Sequence, residues 1–408
     1  MAAQLADADL AVRIAALWCL CLHEGENQRR ARLAAALDDP DPALRSAALG
    51  CIAEYGSGAE KELVSAERIE GLMRGTREER VQAVRLAGGR PALRPQLHRL
   101  MEEVDPAVTG QVIATVGQLA DPGHLPWLVE KLADRRQRRA AQQALAAWGK
   151  SALPSLGAWL MDSGVELPRR RQLARAIAQI SCQESIELLL DRLDDAPPAL
   201  QYPLLKSLSK LRAHDPQRRF DPLRIGHLLE EAMASRYELL QLCRLCRSES
   251  GSLLEQALQE KQEQNLKRIF RLLGLRYPAR DMYHAYLGLV HRQPGKRASA
   301  LEFLENLLDR RLRQRLMPLL ESDSPEQALD HGARLVGWSL GSRREALDRL
   351  LQGPDSWLRV CAVYGLAGDP NPETLVLVGR LESDPDPVVR ETASLVRPTL
   401  TAGGGTPK

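Results

Sequence analysis

The sequence predicts an all-α protein: an α-solenoid of HEAT-like helical hairpins with an irregular helical central region. Three observations predict it. Hydrophobic residues make up 44% of the chain but aromatics only 4%, and no stretch shows the sustained alternation of β-branched and polar residues that a half-buried strand requires. The phrase "LDDPDPALRSAALGCI" (residues 37–52) returns as "LESDPDPVVRETASLV" (381–396), with Asp, Pro and Arg in the same places. Related phrases recur between them at a period near 30 residues, with two amphipathic helical patterns per period, which is the signature of stacked helical hairpins.

The ladder of repeats reads in order. "DLAVRIAALWCL" places Arg13, "DPALRSAALGCI" Arg45 and "REERVQAVRLAG" Arg80; "DPAVTGQVIATVG" puts Thr109 in the arginine slot; "RRQRRAAQQALAAWG" places Arg138 and "PRRRQLARAIAQI" Arg171. A weaker copy lies around "PPALQYPLLKSLSKL". Two clear copies return at the end, with Arg359 in "DSWLRVCAVYGL" and Arg390 in "DPVVRETASLV". The first helix of each hairpin is amphipathic: in "HLPWLVEKLAD" (124–134), Leu125, Leu128, Val129 and Leu132 follow the 3.6-residue period.

Turn chemistry accounts for the repeated Asp and Pro. An Asp at N-cap accepts hydrogen bonds from free backbone amides, and Pro fits the first helical position, where no amide hydrogen is needed. In the pairs Asp9 and Arg13, Asp41 and Arg45, Asp355 and Arg359, and Asp386 and Arg390, the Arg follows four residues later, so each pair is expected on one helix face.

These residues resemble the HEAT-repeat family, in particular its short bacterial variants, over roughly residues 5–212 and 340–400. Residues 213–339 keep helical patterns but lose the period. From about 220 to 397, runs such as "LKRIFRLLGLRYPARDMYHAYLGL" and "RASALEFLENLLDRRLRQRLMPLLE" are similar to the cytosolic HEAT portion of bacterial proteins related to ADP/ATP carriers. That resemblance implies a scaffold associated with a membrane transporter-like partner. The expected organisation is N-terminal repeats over 1–212, an irregular helical region over 213–339, C-terminal repeats over 340–400 and a flexible tail at 401–408.

The apolar run at 14–22, "IAALWCLCL", imitates a signal-peptide core, but Asp7 and Asp9 precede it and no small-residue cleavage site follows, so it is expected to be a buried helix. No run approaches the roughly 20 apolar residues of a membrane helix. The seven Cys are odd in number and scattered, which argues against a disulfide framework and for a reducing, cytoplasmic setting.

Catalytic, cofactor and metal sites are not expected. Cys243 and Cys246 form a C-x-x-C inside a helical pattern with only His227 nearby in sequence, short of the four ligands a structural zinc needs. His284 and His291 are placed to share a helix face, and paired carboxylates such as Asp38 and Asp39 fall at turns where capping explains them. Neither a Gly-rich phosphate loop nor a nucleophile elbow is present.

Three basic clusters remain, at 135–139, 169–171 and 310–315. Arg138, Arg139, Arg170 and Arg171 lie at equivalent points of adjacent repeats and are the candidate contacts for a protein partner of acidic or phosphate-rich surface. A net charge of +3 is small for a nucleic-acid binder. A DNA repair protein resembling the HEAT-like alkylpurine DNA glycosylases is therefore the alternative reading, with a bilin lyase-like protein as a third.

Overall fold

The computed structural model describes residues 2–247, 252–291, 293–321, 325–367 and 371–401. The chain is 79% helical, with no strand among the described residues, and its helices are arranged as hairpins in an all-α solenoid. It divides into two compact units, Met1–Leu188 and Leu189–Lys408.

Unit 1 runs α1 (Leu10–His23), α2 (Glu26–Leu37), α3 (Pro42–Tyr55), α4 (Gly58–Lys61), α5 (Ala66–Leu72), α6 (Arg77–Gly88), α7 (Arg94–Leu100), α8 (Pro106–Leu119), α9 (Leu125–Lys131), α10 (Arg138–Ala147), α11 (Leu153–Met161) and α12 (Leu167–Ile180); α13 (Gln183–Asp194) runs across the division. Two layers result. Helices α1, α3, α6, α8, α10 and α12 pack each on the next as one row, and α2, α5, α7, α9 and α11 cover that row as hairpin partners.

The row is tight because its contact positions are small. A Cβ on Gly117 of α8 would lie 2.8 Å from the Ala144 Cα of α10, and one on Gly88 of α6 would lie 2.1 Å from the Thr115 Cγ2 of α8. Ala83, Val84 and Ala87, Val112, Ile113 and Val116, and Leu173, Ala174 and Ile177 are sealed between the layers. Residues 14–22 lie within α1, which buries Ala16, Leu17, Leu20 and Cys21 as one stripe.

Unit 2 continues with α14 (Pro198–His214), the two 24-residue helices α15 (Pro222–Leu245) and α16 (Leu253–Arg276), α17 (Ala279–Val290), α18 (Pro294–Leu307), α19 (Arg310–Glu321), α20 (Pro325–Val336), α21 (Arg343–Leu351), α22 (Ser356–Tyr364), α23 (Pro372–Leu381) and α24 (Pro387–Thr401). The division at 188/189 does not coincide with the expected boundaries at 212 and 339. The long α15 and α16 share one core with the final repeats: Leu242, Cys246, Leu254 and Leu258 pack among Ala346, Leu350, Cys361, Val378 and Val396, so no break opens at 339. Tyr237 of α15 is fully buried, its hydroxyl donating to the Trp338 carbonyl at 3.1 Å. Of the expected tail, Thr401 closes α24 and 402–408 lie outside the described residues.

Candidate partner-binding face

The joint between repeats is built the same way in both units. In unit 1 the Asp39 carboxylate accepts the Asp41 amide at 2.9 Å, and Asp41 accepts the Ala43 amide at 2.9 Å to cap α3. In unit 2 Asp384 accepts the Asp386 amide at 2.8 Å and Asp386 accepts that of Val388 at 2.9 Å. The Val388 amide, foremost, holds the Asp386 carboxyl below the usual carboxylate range. Asp9 and Asp355 cap α1 and α22 likewise, through the amides of Ala11 and Leu358.

The arginines do not pair with the Asp four residues before them, as the spacing suggests. Arg45 Nη1 turns back to the carbonyls of Asp39 (3.0 Å) and Pro40 (2.9 Å), and its Nε reaches forward to Glu79 at 2.9 Å. Arg390 Nη1 repeats the backward contacts on Asp384 (2.6 Å) and Pro385 (3.1 Å). Arg359 binds the Gly353 carbonyl and, with Nε and Nη2, both oxygens of Asp384 at 3.0 Å.

Arg13 faces Asp39 and Asp41 of the following repeat, and Arg80 reaches Glu103 at 2.9 Å. Even Thr109 follows the rule, its hydroxyl donating to the Glu103 carbonyl at 2.9 Å. The physical reason is local. The turn between two helices has backbone carbonyls outside the helical ladders, and a guanidinium one turn into the next helix spans them and a neighbouring carboxylate together, which a carboxylate at i−4 already engaged in capping does not invite.

The same geometry sorts the candidate contacts. Arg138 Nε donates to the Leu132 carbonyl at 2.9 Å and Nη2 to that of Ala133 at 3.0 Å. Arg170, only 8% exposed, donates to the Leu160 carbonyl at 2.7 Å. The repeat slot in α12 is therefore Arg170, one residue before the expected Arg171, and three consecutive arginines hid that register. Arg138 and Arg170 are joint residues.

Arg139 and Arg171, one position further on, are exposed, and neither side chain has a hydrogen bond or ion pair among the described residues. Their helices are in contact: Gln142 Nε2 donates to Gln172 Oε1 at 3.3 Å, and Gln179 Nε2 to Gln142 Oε1 at 3.0 Å. Sequence reasoning missed this amide chain, in which Gln142 and Gln172 sit 30 residues apart. Helices α8, α10 and α12 contain no Asp or Glu, and Arg135, Arg136 and Arg175 add further exposed guanidinium groups beside them. The third cluster differs, since Arg311 and Arg315 both bind Glu230, at 2.5 and 3.0 Å.

The remaining expectations fall as follows. Cys246 is fully buried, and burial pushes the Cys243 thiol up to about 11. Among the described residues no group of three or more His, Cys, Asp or Glu could hold a metal ion. His284 and His291 both line a cleft of about 560 Å³ between α17 and α18, with Asp281, Lys296 and Phe303. Among the described residues no helix is long and apolar enough to cross a membrane.

No protein-family model and no curated protein matches the chain. Among solved structures it is similar to human deoxyhypusine hydroxylase in complex with glycerol, at 16% identity and a TM-score of 0.24, over 79% of this chain and 97% of that one. A second is a chain from work on a conserved phosphorylation switch that controls the interaction between cadherin and beta-catenin, at 14% identity and a TM-score of 0.28, over 98% and 99% of the two chains. Likenesses this slight carry no argument about function, and the helical-repeat fold rests on the chain's own helices.

Proposed function

We propose that the protein is a non-enzymatic, HEAT-like cytoplasmic scaffold that holds an acidic segment of a protein partner against the α8–α10–α12 row of unit 1. The observation that carries this reading is the contrast between neighbouring arginines. Those in the joints are all held by carbonyls or carboxylates, whereas Arg139 and Arg171 project from acid-free helices without a partner among the described residues. Exposed like charges on adjacent helices repel one another, and a row that keeps them is complementary to carboxylates supplied from outside. The resemblance of the C-terminal half to carrier-related HEAT regions makes a membrane transporter-like protein the first partner to try.

The test is capture of that partner, or of proteins from the native cell, by the full-length chain and by an Arg139→Ala/Arg171→Ala variant. Loss of capture with unchanged circular dichroism supports the reading, and equal capture by both overturns it. Tight, salt-sensitive binding to duplex DNA that disappears in the same variant favours the nucleic-acid reading instead.

A further inference from the structure

Two histidines meet between adjacent repeats of unit 1. His98 lies in the last turn of α7, and His124 ends the short 3-10 turn Pro122–His124 that leads into α9. Their Nε2 atoms are 2.9 Å apart, and the rings are 5.0 Å between centroids with planes inclined at 52°. His98 is exposed; His124 is 4% exposed, and its Nδ1 has no hydrogen-bond partner among the described residues. A buried polar ring whose sole hydrogen bond goes to another imidazole is costly to keep.

Burial pushes the His124 pKa below the ordinary histidine value; Asp121 opposes that shift, and His98 and Arg94 add to it. Arg94 and Asp121 form a 3.8 Å ion pair between the same two elements. Two imidazoles facing each other through Nε2 hold one hydrogen between two lone-pair sites. A cation bound to both at roughly 2.0–2.1 Å, with a tetrahedral angle between the bonds, needs its nitrogens about 3.3–3.4 Å apart. The observed pair falls short of that by about half an ångström, a gap that a small rotation of the exposed His98 closes. With both Nε2 atoms ligating, each ring carries its hydrogen on Nδ1. If His124 is the accepting ring it is already in that tautomer, and His98 makes the change facing solvent.

We propose that His98 and His124 form a two-ligand site for a late first-row divalent cation such as Zn²⁺, completed by solvent, which pins adjacent repeats of unit 1 together. Imidazole nitrogen suits these cations, and Asp121 favours positive charge at the pair while Arg94 opposes it.

The test adds ZnCl₂ alone to the full-length protein and to His98→Ala, measuring bound equivalents against a chromophoric chelator and following thermal unfolding. His98→Ala leaves the buried His124 ring without that hydrogen bond, so circular dichroism checks that the variant keeps the fold; His284→Ala controls for the other paired histidines. The expected result is one equivalent fewer in His98→Ala than in the parent and in His284→Ala, together with loss of a Zn²⁺-dependent rise of several degrees in melting temperature. Equal binding by the parent and His98→Ala, or no rise in the parent, overturns the site.

Discussion

At positions 45, 138, 359 and 390 a guanidinium reaches back five or six residues to carbonyls of the turn that follows the preceding helix. Replacing Arg45 by Ala removes these bonds and leaves Glu79, 3% exposed, without its cation. We expect a loss of about 1.5–3 kcal/mol in urea unfolding. Arg45→Lys should recover only part of it, because an ammonium cannot span two carbonyls and a carboxylate.

Thr109→Val, which deletes the hydroxyl shared between the Glu103 and Asp105 carbonyls, should cost about 0.5–1.5 kcal/mol. The slot was legible in the sequence, because Asp-x-Asp-Pro followed by Arg recurs. Its partner was not, because every residue has a carbonyl and only the fold says which ones face the guanidinium. The fully buried Glu60 adds a pH dependence. Burial alone would raise its pKa, but hydrogen bonds from Arg29 at 2.5 Å and from the Ser57 amide at 2.7 Å outweigh it and hold the carboxyl below its ordinary value. A depressed folded-state pKa contributes stability that is present above the unfolded value, near 4.3, and is lost as pH falls through the folded one. Urea midpoints should therefore fall below about pH 4.5, and Glu60→Gln should flatten that slope while lowering the midpoint at neutral pH.

Helices approach one another where glycine permits it. Gly332→Ala would place a Cβ 2.0 Å from the Tyr237 ring, which is fully buried and cannot move aside. Gly117→Ala would crowd α8 against the backbone of α10. Each should cost about 1–3 kcal/mol of overpacking, more than the roughly 1 kcal/mol that Ala gains over Gly in a helix, and thermal unfolding of the two variants measures it. Hairpin helices were legible from apolar periodicity and caps. The shared core of the central and final helices was not, because the pairing of α15 and α16 with α21 to α24 rests on contacts about 100 residues apart, which leave no local mark in the sequence.

Across the whole molecule the net charge of +3 says little, because charge is sorted by position. Most acids that face the joints are consumed there, while α10 and α12 keep arginines and none of α8, α10 and α12 carries a carboxylate. That sorting was half legible. The clusters at 135–139 and 169–171 stood out, but which arginines hold the fold and which are free depends on one residue of register. Consecutive arginines have opposite duties, and the denaturant midpoints of Arg138→Ala and Arg139→Ala separate them. Arg138→Ala should lower the midpoint clearly, by about 1 kcal/mol or more, and Arg139→Ala should change it within about 0.5 kcal/mol. Equal midpoints, or a larger loss at Arg139, would refute that division of duties.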